Sequence, residues 1–166
     1  MLIILAGLPG TGKTTIAREL ATAIEGVHVR IDTIEQAIRD HGIDDAAMQD
    51  AGYRVGQGFA DDNLRLGRIV IADSVNPIAA TRDGWRAAAT RAGVRSLDVE
   101  VVCSDAAAHR RRVETRRADI PGHRVLEWQE VVDRHYEAWT TDRLVIDSAV
   151  LRVEQSVKLI RLRARI

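Results

Sequence analysis

At 166 residues, 46% of them hydrophobic, the chain is long enough for one domain with a sizeable core and needs no second one. Lys+Arg and Asp+Glu both number 24, so the formal net charge is zero, which argues against tight, unassisted binding to nucleic acid or to an anionic membrane surface. A single cysteine, Cys103, excludes an intrachain disulfide, and its place in an apolar run predicts a small buried core residue rather than a reactive thiol, in keeping with a reducing cytoplasm.

The chain opens on MLIILAGLPGTGKTT. Leu2 to Ala6 is an unbroken apolar run that predicts a short buried strand, and Gly7, Gly10, Thr11, Gly12, Lys13, Thr14 and Thr15 follow it, with the spacing G-x-x-x-x-G-K-[ST] of a Walker A loop. Glycines let backbone N–H groups turn inward around phosphate oxygens, Lys13 adds a mobile positive charge, and the Thr14 hydroxyl is suited to hold Mg²⁺. The helix that follows points its positive end at the anion. A glycine-rich turn without a nucleotide is the competing reading, but strand, motif and helix occur in the required order. The apolar start is too short for a secretion signal and lacks a basic leader, so no export is expected.

Ile16, Leu20 and Ile24 recur at helical spacing, with Gly26 as a stop. Val27 to Ile31 reads as a second strand ending at Asp32, and Ile34, Ala37, Ile38 and His41 mark the helix after it. Asp44 to Gly67 predicts one long or broken helix in which Gly52, Gly56 and Gly58 signal a kink or a close crossing. Arg68 to Asp73 is a buried strand ending in an acid, and Ser74 to Pro77 form a turn that starts a helix packed through Trp85, Ala88, Ala89 and Ala92. Leu97 to Cys103 predicts a fourth strand, Asp105 to Arg117 a strongly basic helix, and Ala118 to Arg124, with Pro121-Gly122, a break. Val125 to Trp139 resumes as a helix, Leu144 to Asp147 is a fifth strand, and Val153, Val157 and Ile160 line a closing helix.

No segment is long and apolar enough to cross a membrane. Strands alternating with helices imply crossover connections, hence an α/β fold with a parallel sheet covered on both faces. Ligands of such sheets gather at the carboxyl ends of the strands, where Asp32 and Asp73 fall.

Phosphoryl transfer needs neutralised charge, a metal, a positioned nucleophile and exclusion of water. Asp73 is the expected Walker B-like acid, holding Mg²⁺ together with Thr14; a turn or cap acid is its plainer reading. Asp32 is the expected base or orienting group for an attacking hydroxyl, although Asp32 and Glu35 also have the spacing of a helix capping box. Arg112 and Arg116, one helical turn apart, are expected to reach a transferring phosphoryl group from a lid spanning residues 105–124, against the plainer reading of a solvated basic face. Tyr53 and Asn76 are candidates for lining the acceptor pocket, with simple packing as the alternative for Tyr53. The five histidines, without metal-ligand spacing, read as ordinary surface or partly buried residues, and the tryptophans as packing groups.

With loop, two strand-end acids and basic segment in place, the chain resembles the P-loop small-molecule and polynucleotide kinases. It is similar to the kinase domain of phage polynucleotide kinase and, more distantly, to chloramphenicol phosphotransferase, zeta toxins and gluconate kinase. The resemblance covers nearly the whole chain. It implies a three-layer P-loop NTPase fold, a five-stranded sheet of order 2-3-1-4-5, and adenine lying between the lid base and the loop near Asp147 to Val150. It also implies Lys13 as the phosphate-cradling lysine, Thr14 as the magnesium hydroxyl, Asp32 as general base, Asp73 as the Walker B-like acid, and Arg112 and Arg116 as lid arginines on ATP.

One departure is informative. Polynucleotide kinases carry an arginine three residues after the base, where this chain has Glu35, whose charge should repel a phosphorylated acceptor. The expectation is therefore an ATP- and Mg²⁺-dependent kinase acting on the hydroxyl of a neutral or cationic small molecule. A kinase of nucleic-acid or nucleoside 5′-hydroxyls is the runner-up, and a nucleotide-dependent switch or ATPase module is the reading from a different class.

Overall fold

Strands buried on both faces read as continuous apolar runs, and Leu2–Ala6 and residues 70–72 meet that condition, whereas the outer runs Val27–Arg30 and Ser96–Val102 carry His28, Arg30, Asp98 and Glu100. In the computed structural model, which describes residues 1–166, five strands form one parallel sheet: β1 (Leu2–Ala6), β2 (Val27–Arg30), β3 (Val70–Asp73), β4 (Ser96–Val102) and β5 (Leu144–Asp147). Their order is β2-β3-β1-β4-β5, as expected, and every residue of β1 at its centre is fully buried.

Side-chain alternation along β1 divides the core in two. Ile3 and Leu5 join Ile16, Ala17 and Leu20 of α1 (Lys13–Ile24) and Val157 and Ile160 of α8 (Val153–Ala164) on one face. Leu2 and Ile4 join Ala60 and Leu64 of α4 (Ala51–Arg65) and Trp85 and Ala89 of α5 (Ala79–Arg91) on the other. Each fully buried Leu or Ile contributes about 1.5–3 kcal/mol relative to an exposed one, so both helical layers are held by the same central strand.

The expected helix over 44–67 is broken, but not by its glycines. Gln49, at φ 45°, separates α3 (Asp45–Met48) from α4. Gly52 and Gly56 are instead points of close approach: a Cβ would lie 2.5 Å from Glu35 Cγ at the first and 2.6 Å from Ile31 Cδ1 at the second. They let α4 cross closely over α2 (Ile31–Asp40).

Four expectations need correction. The helix predicted over 125–139 is reduced to α7 (Trp128–Val132), because the following strap is drawn onto α5: Glu137 N donates to Pro77 O at 2.8 Å, and Arg82 donates to Glu137 O at 2.8 Å while stacking 4.2 Å from the Trp139 ring. The basic helix α6 (Ala106–Glu114) stops before Arg116, so Arg112 and Arg116 do not share a helix face. Asp32 is not an N-cap: α2 starts at Ile31 with Arg30 as its cap and no side-chain capping bond, so the Asp32–Glu35 box does not form. Cys103 is half-buried just beyond β4, with its thiol 3.7 Å from an Arg112 amine, and is not a core residue.

Arg82 is the polar hub of the strap, 3% exposed and also bonded to Asn76 O and Pro77 O at 2.9 and 3.2 Å. Arg82→Met should lower stability by about 2–4 kcal/mol, since it leaves several buried carbonyls without donors. Urea unfolding followed by tryptophan fluorescence checks this; an unchanged midpoint would mean that the strap is held elsewhere.

Candidate functional site

The turn after β1 owes its shape to residues without a β-carbon. Gly7 has φ 141°, and a Cβ there would stand 2.1 Å from Val101 O; Gly10 has φ 83°, and a Cβ there would stand 2.5 Å from Val113 Cγ2 of α6. The turn is thus pressed against β4 on one side and the basic segment on the other. It ends at Gly12, the N-cap of α1, whose first N–H groups have no side-chain partner and point toward the cradle. Thr11 Oγ1 and Lys13 Nζ both donate to Leu8 O at 2.9 Å. Burial pulls the Lys13 ammonium down to about 8, with Asp73 and Asp32 opposing and Arg116 assisting that shift.

At the end of β3, the Asp73 carboxylate is 2% exposed. Burial alone would raise its pKa, but the hydrogen bond from His28, the Lys13 charge and a hydrogen bond from Thr14 outweigh it and hold the carboxyl below the usual range. His28 Nε2 lies 3.1 Å from Asp73 Oδ2. In the first turn of α2, Asp32 lies 3.6 Å from an Arg30 amine. Glu35, one turn on, is pushed up by burial and by the charges of Asp32 and Asp45, while Arg39 at 3.5 Å opposes the shift.

Lys13, Asp73, Arg30, Asp32, Glu35 and Arg39 share one cleft of about 760 Å³, in which only 2 of the 25 lining residues are hydrophobic. Its walls include Gly10, Gly12, Lys13, Thr14, Thr15, Asp32, Glu35, Asp73, Arg112 and Arg116 from the expected set. Gly7 and Thr11 stand behind the loop as its support. Tyr53 and Asn76 do not line the cleft. Asn76 is fully buried, donating to Leu5 O at 3.0 Å and accepting from Trp85 Nε1 at 3.1 Å, and Tyr53 Oη accepts from Asn76 N at 3.3 Å. Burial pushes the Tyr53 phenol up to about 12. Both residues brace the floor from below.

The basic segment closes the far wall. His109 Nε2 lies 2.8 Å from Pro9 O and its ring meets Trp128 edge-on, which seats α6 and α7 over the loop. Arg112 donates to Ser148 Oγ and O at 2.8 and 3.0 Å, joining the segment to the turn after β5. There a second groove, of about 620 Å³, adjoins the cleft at Gly12, Thr15 and Arg112 and is lined by Ile16 and residues 148–154 and 156.

Cleft residues that sequence reasoning passed over include Arg30, His123 and Arg134, and it also missed His28, which does not line the cleft but backs Asp73. Arg30 is 6% exposed and His123 Nδ1 is buried without a partner. Burial, with help from Arg116, Arg30 and Arg39, lowers the His123 pKa against the pull of Asp32. The missing signal was strand register: β2 runs parallel to β3 with Arg30 opposite Asp73, so His28 and Arg30 belong to the same strand end as the acid.

The profile of a family described as an AAA domain matches residues 2–135. Among solved structures, the chain is similar to a candidate kinase from Chloroflexus aurantiacus at 21% identity and TM-score 0.76, covering 97% of this chain and 96% of that one. It is similar to the Mycobacterium tuberculosis APS kinase CysC, solved with AMPPNP and APS, at 14% identity and TM-score 0.75 over 99% and 97% of the two chains. Chaetomium thermophilum Kti12, solved with ADP-AlF3, is similar at 23% identity and TM-score 0.67 over 96% and 97%. These likenesses establish the fold. No curated protein matches the chain at a significant level.

The lowered Lys13 pKa sets a direction. Between about pH 8 and its ordinary value of 10.5, the folded chain has shed a proton that the unfolded chain retains, so Lys13 makes stability rise with pH across that window. An anion in the cradle restores the charge. Binding of a polyphosphate anion in this cradle above pH 8 should therefore take up a proton and weaken as pH rises, by up to about tenfold per unit. Calorimetry in two buffers of different ionisation enthalpy reads the uptake, and Lys13→Met should abolish it.

Proposed function

Because the chain belongs to the AAA-domain family, with a P-loop cradle at the centre of its sheet, we propose that it is an ATP-dependent kinase that phosphorylates a hydroxyl of a small molecule. The observation that carries this reading is the convergence of two acids from different strand ends, Asp32 and Asp73, on one cleft with Lys13, Thr14 and Arg116. A simple nucleotide-binding module has use for one such acid, at the metal; the second is then available to act on a hydroxyl acceptor.

In this reading, Lys13 and the α1 N-terminus take the phosphates, while Arg112, Arg116 and the neighbouring Arg117 close over them as a lid. Thr14 and Asp73 fit a divalent cation: a hydroxyl and a carboxylate held ionised line the same cleft, and oxygen donors suit Mg²⁺. Bound there, Mg²⁺ supplies neutralisation of phosphate charge. Asp32 orients the acceptor hydroxyl and takes its proton as that oxygen bonds to the γ-phosphorus and the bond from phosphorus to the β,γ-bridging oxygen breaks, releasing ADP. The groove beside Ser148 suits the nucleotide base, with Ile16 and Val150 offering apolar contact.

The acceptor end is shaped by Asp32, Glu35, Asp45, Arg39 and His123. Glu35 stands where a phosphate-gripping arginine would be needed, although Arg39 offsets part of its charge, and Arg39 is itself taken by Glu35 and Asp45. A neutral or amine-bearing polyol suits this end better than a phosphorylated nucleic-acid terminus.

Asp32→Asn should keep the fold and nucleotide affinity while lowering phosphoryl transfer by about 10²–10⁴-fold. The assay follows labelled phosphate from ATP to a panel of sugars, nucleosides, amino-alcohol antibiotics and 5′-hydroxyl oligonucleotides. Rapid labelling of the oligonucleotides would overturn the small-molecule assignment. ATP turnover with no labelled acceptor, undiminished in Asp32→Asn, would instead indicate an ATPase switch.

A further inference from the structure

Phosphoryl transfer as described leaves one carboxylate of the cleft without a task. Asp119 lies in the irregular crossing between α6 and α7, where a side chain would ordinarily be solvated. Instead it is gripped on two sides: both terminal amines of Arg30 donate to it, at 2.8 and 3.1 Å, and Arg18 of α1 adds a third contact. Arg30 is the stronger partner, because its side chain is 5% exposed whereas that of Arg18 is 54% exposed and screened by water. Its hydrogen bond, with that of Arg18, holds the Asp119 carboxyl well below the usual range against a small opposing effect of burial. Three residues on, Gly122 (φ 76°) runs so close to α2 that a Cβ would stand 3.0 Å from Gln36 Nε2. The crossing is therefore fixed flush against the helix that carries Asp32.

The same guanidinium faces Asp32. Arg30 is engaged by Asp119 through both of its terminal amines, which leaves Asp32 at 3.6 Å, beyond hydrogen-bond length. Arginine forms its strongest contact by presenting two parallel N–H groups to one carboxylate. The fork thus has two candidate acceptors and serves one.

We propose that Asp119 is a positioning residue that latches the lid and, by occupying Arg30, keeps that arginine from pairing fully with Asp32. With the crossing docked, Asp32 retains free lone pairs for an acceptor hydroxyl. With the crossing lifted, the Arg30 amines lose their partner, and Asp32 is the nearest carboxylate able to receive them; a bidentate pair there makes Asp32 a weaker proton acceptor. Lid closure and activation of the base become one event, so phosphate is not passed to water while the cleft is open. The role assigned to Asp32 rests on the kinase reading; the latch itself does not.

Two readouts on the full-length protein, neither needing an acceptor, test this. Trypsin nicking at Arg116, Arg117 and Arg124 reports lid docking, and Asp119→Asn should accelerate it about tenfold, with Asp119→Glu restoring much of the protection. The ¹³C carboxyl titration of Asp32 should move to lower pH in Asp119→Asn, and the same substitution made in the Arg30→Met background should leave it where Arg30→Met alone puts it. Mere loss of the Asp119 charge instead predicts the same displacement in both backgrounds, which would count as no return. Lys13, Glu35 and His123 also face Asp32 and are the same in all variants. Arg30→Met alone, checked by urea unfolding, shows that the double variant folds. Unchanged nicking would overturn the latch, and an Asp32 titration that does not move, or does not return, would overturn the coupling. A missing phosphorylated acceptor would count against the kinase reading and leave both of these results standing.

Discussion

Burying an ionised carboxylate at 2% exposure costs on the order of several kcal/mol unless donors and cations surround it, and Asp73 is surrounded. Its partners come from two other elements: His28 from β2, and Lys13 and Thr14 from the first turn of α1, at the end of the loop that leads out of β1. β3 lies between β2 and β1 in the sheet, so each neighbour can deliver its group to the same strand end. One electrostatic requirement therefore fixes the register of the three strands at their carboxyl edge and places the glycine-rich turn beside the acid. Any arrangement that separated these elements would leave a charge stranded in the core.

The overall neutrality of the chain conceals a strongly uneven distribution. Nine of the residues lining the cleft are Lys or Arg and five are Asp or Glu, a local excess of positive charge inside a protein whose totals cancel. Much of the excess comes from Arg112, Arg116, Arg117, Arg124 and Arg134, which line the cleft from the segment over 105–134. A field of this kind favours an anion in the cleft without giving the outer surface affinity for polyanions.

The sheet was legible because its strands are apolar runs bounded by glycine or acids, and the phosphate loop because its spacing admits few alternatives. What escaped was whatever depends on register or on a long-range polar partner. His28 carries no local signal, since only the pairing of β2 with β3 brings it to Asp73. Residues 133–139 have helical periodicity, yet their carbonyls are claimed by Arg82, a contact 55 residues away in sequence at its shortest bond. The Asp32–Glu35 pair matched a capping box by spacing, but α2 begins two residues early, at Ile31, and Asp32 lines the cleft from its first turn. Asn76 has the composition of a turn and sits at φ 48°, where its amide is consumed in holding β1 and Trp85 rather than a ligand.

The same contrast bears on what the acceptor end recognises. Taken alone, Glu35 reads as a repulsive charge; in the fold it lies over Gly52, loses water and is paired with Arg39, so its repulsion is local and softened. What remains is a pocket rich in hydrogen-bond acceptors, in which Arg39, the cation beside Glu35, is already shared between Glu35 and Asp45. His123 is kept toward its neutral form chiefly by burial and leaves Nδ1 unpartnered, a group able to bond a hydroxyl but not to neutralise a phosphate. An anionic acceptor would have to displace existing ion pairs to enter, whereas a hydroxyl- or amine-bearing one would complete bonds that the fold leaves open. Discrimination at this end therefore rests on unsatisfied neutral groups and already satisfied charges, an arrangement that penalises the wrong ligand more than it rewards the right one.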